Sequence, residues 1–126
     1  MTPIDPSIDS VEIQPKVFFI DIDGTICKHS ISSILGQSDM ELLPGSLEKL
    51  HEWRLKGYHI ILTTGRPVSR EHTEGQLEKA GVPYDLLIMG LGGGKRILIN
   101  DTKPDGAITA KAYSIKRDTG LGQIDE

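Results

Sequence analysis

Phe18-Phe19-Ile20-Asp21-Ile22-Asp23-Gly24-Thr25 decides the reading of this chain: an apolar run stops at two carboxylates one residue apart, followed by a glycine and a hydroxyl. Such a run reads as a buried strand, and open α/β sheets gather their ligands outside the carboxyl ends of strands. Side chains two apart on a strand share a face, and a turn at Gly24 would aim Asp23 over Asp21. Carboxylates that close repel and raise each other's proton affinity unless a cation lies between them, and a hard divalent ion such as Mg2+ meets that need.

Two further runs end in the same manner. Tyr58-His59-Ile60-Ile61-Leu62-Thr63-Thr64-Gly65-Arg66-Pro67 is β-branched and aromatic, then closes on two hydroxyls and a turn. Arg96-Ile97-Leu98-Ile99-Asn100-Asp101-Thr102-Lys103-Pro104-Asp105 is again an apolar run that meets carboxylates. Taken singly, each reads equally as turn chemistry, but three strands ending in Asp, Thr and Asp in this order are hard to obtain by chance.

Between and beyond these runs the pattern predicts helices over 46–56 and from Pro67 and Ser69 to 80, each followed by a glycine. Further strands are expected over 84–89, 96–100 and 108–115. Residues 1–14, broken by Pro3 and Pro6, read as a tail, and 15–126 as a single catalytic domain. Strand-helix alternation implies an α/β fold, a three-layer Rossmann-like parallel sheet with helices on both faces.

The Asp21-Ile22-Asp23-Gly24-Thr25 motif resembles the nucleophile loop of the haloacid dehalogenase superfamily, and the resemblance runs in order from Val17 to Asp105. It implies that Asp21 attacks phosphorus and Asp23 is the acid/base. It implies phosphate contacts from Gly24, Thr25, Thr64 and Gly65, with Thr63 as the alternative hydroxyl. Lys95 is the implied neutralising cation, with Lys103 and Arg96 as competitors. Mg2+ would be held by Asp21, the backbone carbonyl of Asp23 and Asp101, with Asp105 in support; Asn100 departs modestly from the usual residue beside the metal ligand. The intervals 25–64 and 65–95 leave no room for a cap domain, so the chain resembles the capless phosphatase branch, whose members act on large substrates or borrow a lid from a neighbouring subunit.

The expectation is therefore a Mg2+-dependent phosphomonoester hydrolase acting through an aspartyl-phosphate, on a small-molecule phosphate ester such as a sugar phosphate, with a homo-oligomer as the expected assembly. The alternative is a non-catalytic phosphate- or metal-binding module regulating a polysaccharide or sugar-nucleotide pathway. A net charge of −4 without a basic run argues against a sequence-independent grip on nucleic acid. No apolar run approaches a membrane span, and no secretory leader is evident. One cysteine, Cys27, permits no internal disulfide and fits a cytoplasmic protein as a small buried thiol. Gly92-Gly93-Gly94 lacks the Lys-Ser/Thr ending of a P-loop. Of the four histidines, which form no metal spacing, only His29 is placed to touch substrate.

Overall fold

The computed structural model describes residues 14–67 and 69–126; the expected tail lies outside the described residues except for Gln14. Three parallel strands, β1 (Val17–Asp21), β2 (His59–Thr63) and β3 (Leu86–Ile88), form one sheet in the order β1-β2-β3. The helices are α1 (Ile31–Ile34), α2 (Ser46–Leu55) and α3 (Arg70–Ala80). In register, Phe18 pairs with Ile60, Ile20 with Leu62, and Leu62 with Leu87. Ile20, Ile60, Leu62 and Leu87 are buried on one face, where Trp53 of α2 stacks on Phe18 at 4.1 Å between centroids.

The helices form where their buried positions recur at helical spacing. In α2 these are Ser46, Leu50 and Trp53, and in α3 Thr73 and Leu77. The Ser69 hydroxyl caps α3 by accepting from the Glu71 N–H, and Gly81 ends it at φ 74°, a left-handed conformation that glycine adopts without strain. A sheet wound in one direction by right-handed crossovers carries both connecting helices on one face.

That arrangement corrects two expectations. The opposite face leaves Val17, Phe19 and Leu86 about half exposed, so the third layer is not formed over these positions by the described residues. The strands expected over 96–100 and 108–115 are also not formed. From Gly90 to Ile115 the chain instead makes an excursion closed at its tip by Lys103 and Ala107, where the Lys103 N–H donates to the Ala107 carbonyl at 2.9 Å. Asn100 and Thr109 face one another across it: the Asn100 amide donates to the Thr109 carbonyl, and the Thr109 hydroxyl to the Asp101 carbonyl.

The chain then returns. Leu121 and Ile124 are buried, and the Leu121 N–H donates to the Ser46 hydroxyl. A Cβ on Gly120 would lie 2.5 Å from the Pro44 carbonyl oxygen, so only glycine permits this close approach. Among the described residues no helix is long and apolar enough to cross a membrane.

Candidate active site

The carboxyl ends of β1 and β2 lie side by side because Asp21 pairs in register with Thr63. Past that point the Ile22 N–H donates to the Thr63 carbonyl at 3.2 Å, and the Thr64 N–H to the Ile88 carbonyl at 3.0 Å. Asp21 and Thr64 therefore end adjacent strands at one rim. The loop after Asp21 turns tightly: the Thr25 and Ile26 amides both donate to the Ile22 carbonyl, and the Gly24 amide to that of Cys27, with Gly24 at φ 88°.

An open cleft of about 500 Å³ spans this rim, within the ~300–1,000 Å³ range of small-molecule sites. Asp21, Asp23, Thr64 and Gly65 line one part of it, with His29, Arg66, Arg96 and Arg117 around them. A separate hollow of about 310 Å³, between residues 36–39 and α3, contains none of these acids.

Among the described residues no arginine or lysine contacts Asp21 directly; the Thr25 hydroxyl donates to its Oδ2 at 3.3 Å. Burial of its carboxyl and then the negative Asp23 beside it raise its pKa above the ordinary aspartate value, while the Thr25 bond and the field of Arg96 work the other way. Asp23 differs. Arg66 grips it through two charge-assisted bonds, Nε to Oδ2 at 2.7 Å and a terminal nitrogen to Oδ1 at 2.8 Å. The buried guanidinium also donates to the Thr73 hydroxyl, the Gln76 amide oxygen at 2.5 Å and the Ser33 hydroxyl. Gln76 in turn donates to the Ser33 and Ser38 carbonyls, so one network joins Asp23 to α1, α3 and the chain between.

Thr64 is buried, and its hydroxyl oxygen accepts from the Arg66 N–H at 3.1 Å, which leaves the hydroxyl hydrogen to donate. A Cβ on Gly65 would lie 2.3 Å from the Gly92 carbonyl oxygen; the second wall passes that close. Arg96 holds this wall, donating to the Gly92 carbonyl at 2.7 Å and the Gly94 carbonyl at 2.8 Å. Cys27 is fully buried, and burial followed by the Asp23 charge pushes its thiol up to about 12, which leaves it protonated and unreactive.

Of the residues predicted from sequence, Asp21, Asp23, Thr64, Gly65 and His29 meet at the cleft, with Gly24 and Thr25 in the adjoining turn. Lys95 is not among the lining residues; Arg96, a stated competitor, lines it instead. Asp101 and Asp105 do not line it, and the Asp105 carboxylate accepts from the Ala107 N–H within the tip of the excursion. Among the described residues no group of three His, Cys, Asp or Glu side chains is placed to hold a metal, so the donors as arranged do not fit the Mg2+ site that the sequence implies. His51, His59 and His72 are exposed and away from the cleft.

Sequence reasoning missed Arg66, Gln76, Ser33, Arg117 and Asp118. Arg66 was visible only as the charged member of a Gly-Arg-Pro turn. The Asp118 N–H donates to the Gly24 carbonyl and its carboxylate accepts from the His29 N–H, both at 2.8 Å, so the returning chain braces the loop that follows Asp21. No local signal marks that contact across 89 residues.

No family model and no curated relative matches the chain. Among solved structures it is similar to the MCSG target from Vibrio cholerae, at 21% identity and TM-score 0.53 over 71% of this chain and 85% of that one. It is also similar to the D,D-heptose 1,7-bisphosphate phosphatase from B. bronchiseptica, crystallised with magnesium and phosphate, at 20% identity and TM-score 0.50. That match covers 62% of this chain and about half, 51%, of the phosphatase. The likenesses show a shared α/β fold.

Proposed function

We propose that the chain is a phosphomonoester hydrolase. The observation that carries this reading is a pair of carboxylates in different circumstances within one cleft: Asp21 accessible, with the Thr25 hydroxyl and the Ile22 backbone on it and, among the described residues, no cation in contact, and Asp23 fixed through both oxygens. An Asp21 oxygen attacks phosphorus and the bond to the leaving oxygen breaks; Asp23 takes a proton from the monoanionic phosphate ester and passes it to that oxygen, and as a carboxylate again it removes a proton from the water that hydrolyses the aspartyl-phosphate. Each Asp23 oxygen keeps a second lone pair beyond its bond to Arg66, so the clamp orients the group without occupying it fully. Thr64 donates to a phosphoryl oxygen, Gly24 and Thr25 shape the turn beneath it, Gly65 lets the wall close in, and Arg96 takes the cationic part foreseen for Lys95.

Mg2+ dependence belongs to the proposal through the excursion. Ile97, Leu98 and Ile99 are 55–87% exposed, and among the described residues no strand pairs with the outer edge of β1. Asp21 and Asp101 are the carboxylates that would hold Mg2+, and the ion would screen phosphoryl charge. A homo-oligomer in which a neighbour covers the open sheet face and cleft, cytoplasmic residence and the absence of a cap remain part of this reading. The second reading, a binding module without turnover, is favoured by the fact that Lys95, Asp101 and Asp105 do not line the cleft. Hydrolysis of p-nitrophenyl phosphate with Mg2+ decides between them: turnover that Asp21→Asn abolishes supports the enzyme, and phosphate binding without turnover supports the module.

A further inference from the structure

The cleft gathers three arginines, of which the site built around Asp21 and Asp23 uses two. Arg66, Arg96 and Arg117 stand against Asp21 and Asp23, so with His29 neutral the lining already has one positive charge in excess. Clefts lined in this way concentrate anions. The three guanidinium groups are not equivalent. Arg66 is committed to Asp23, and Arg96 is tied to the carbonyls of the glycine wall near Asp21. Arg117 makes no hydrogen bond or ion pair with other described residues; its aliphatic stem packs on Gly24, with Cγ 3.1 Å from where a Cβ there would be. His29, whose backbone is fixed by Asp118, lines the same cleft. An arginine propped on the nucleophile loop with its fork free is suited to a planar or tetrahedral anion.

Resting on the phosphatase reading, we propose that the substrate bears a second anionic group, phosphate or carboxylate, beyond the phosphate that Asp21 attacks, and that Arg117 with His29 receives it. The test compares KM for glucose 6-phosphate, 6-phosphogluconate and glucose 1,6-bisphosphate within each protein, so that a partly folded variant does not bias the ratio. A charge-assisted bond of this kind corresponds to a KM about tenfold lower for the two-anion substrates in the wild type. Preference for 6-phosphogluconate alone identifies the second group as carboxylate, and for the bisphosphate alone as phosphate. Arg117→Ala brings the ratio to about one, and Arg117→Lys restores part of it. Equal KM values in the wild type, or a ratio that survives Arg117→Ala, overturn the proposal. Absence of turnover on every substrate overturns the phosphatase reading instead; calorimetry with glucose 1,6-bisphosphate and glucose 6-phosphate then judges the subsite by the same ratio and the same variants.

Discussion

Val17–Asp21 and residues 97–101 are near copies in pattern, each an apolar run closing on an aspartate, yet the first is a strand and the second is not. Ile20 is 6% exposed and Ile99 87%. The difference is partnership. β1 is hydrogen-bonded along its length to β2 and covered by Trp53, whereas among the described residues Asn100 and Asp101 bond to Thr109 of their own returning chain. A β-branched sequence fits a pleated surface when one is offered, and β-propensity expresses that fit rather than a backbone demand. The outer edge of β1 is such a surface.

The sharpest way to break the comparison is to delete each aspartate. Asp21→Asn should lower turnover of p-nitrophenyl phosphate by at least about a thousandfold, as removal of a nucleophile does. Asp101→Ala should lower it by about a hundredfold and weaken Mg2+ binding in calorimetry, because a hard cation loses one of few anionic oxygens. Unchanged Mg2+ affinity in Asp101→Ala would keep 97–101 away from the site during turnover and make the two runs as different in role as they are in structure.

Next in size is the clamp behind Asp23. Arg66→Met leaves a carboxylate without its partner and the Thr73, Gln76 and Ser33 oxygens without a shared donor. Breaking a buried pair on one side costs about 3–5 kcal/mol, so urea denaturation should show a loss of that order. A loss below about 1 kcal/mol would mean that the network behaves as a surface pair.

The part of the fold legible in the sequence is the part whose elements carry their own partners. The strands before Asp21, Thr64 and residue 89, and the two longer helices, were foreseen because apolar spacing, a Ser cap and terminal glycines act locally. The runs at 96–100 and 108–115 have the same local pattern but no ladder to join. At the site, Asp21, Asp23, Thr64 and Gly65 were legible because strand ends converge in a parallel sheet. Arg66 and Arg117 were not, because their meaning lies in residues 43 and 93 positions away, Asp23 and Gly24.

Two glycines sharpen the contrast between packed rim and open wall. Gly65→Ala would force a Cβ into the Gly92 carbonyl, whereas a Cβ on Gly93 meets nothing within 4 Å. Thermal unfolding should show Gly65→Ala destabilised by about 1–3 kcal/mol and Gly93→Ala within about 0.5 kcal/mol of the parent. Equal shifts would mean that the glycine wall does not rest on the β2 rim.

The smallest effect concerns the charge on Asp21. Its pKa is raised in the folded protein, first by burial and then by Asp23. The folded state therefore binds this proton more tightly than the unfolded chain, so the group opposes folding once pH exceeds the ordinary aspartate value, and the penalty is complete above the folded pKa. Asn cannot ionise and escapes it. With chelator present, Asp21→Asn should melt slightly above the parent at pH 7, and the gap should narrow as pH falls through the folded pKa toward the ordinary one. A gap that widens in acid would show Asp21 stabilised as a carboxylate by a cationic partner and would remove the difference in surroundings between the two acids.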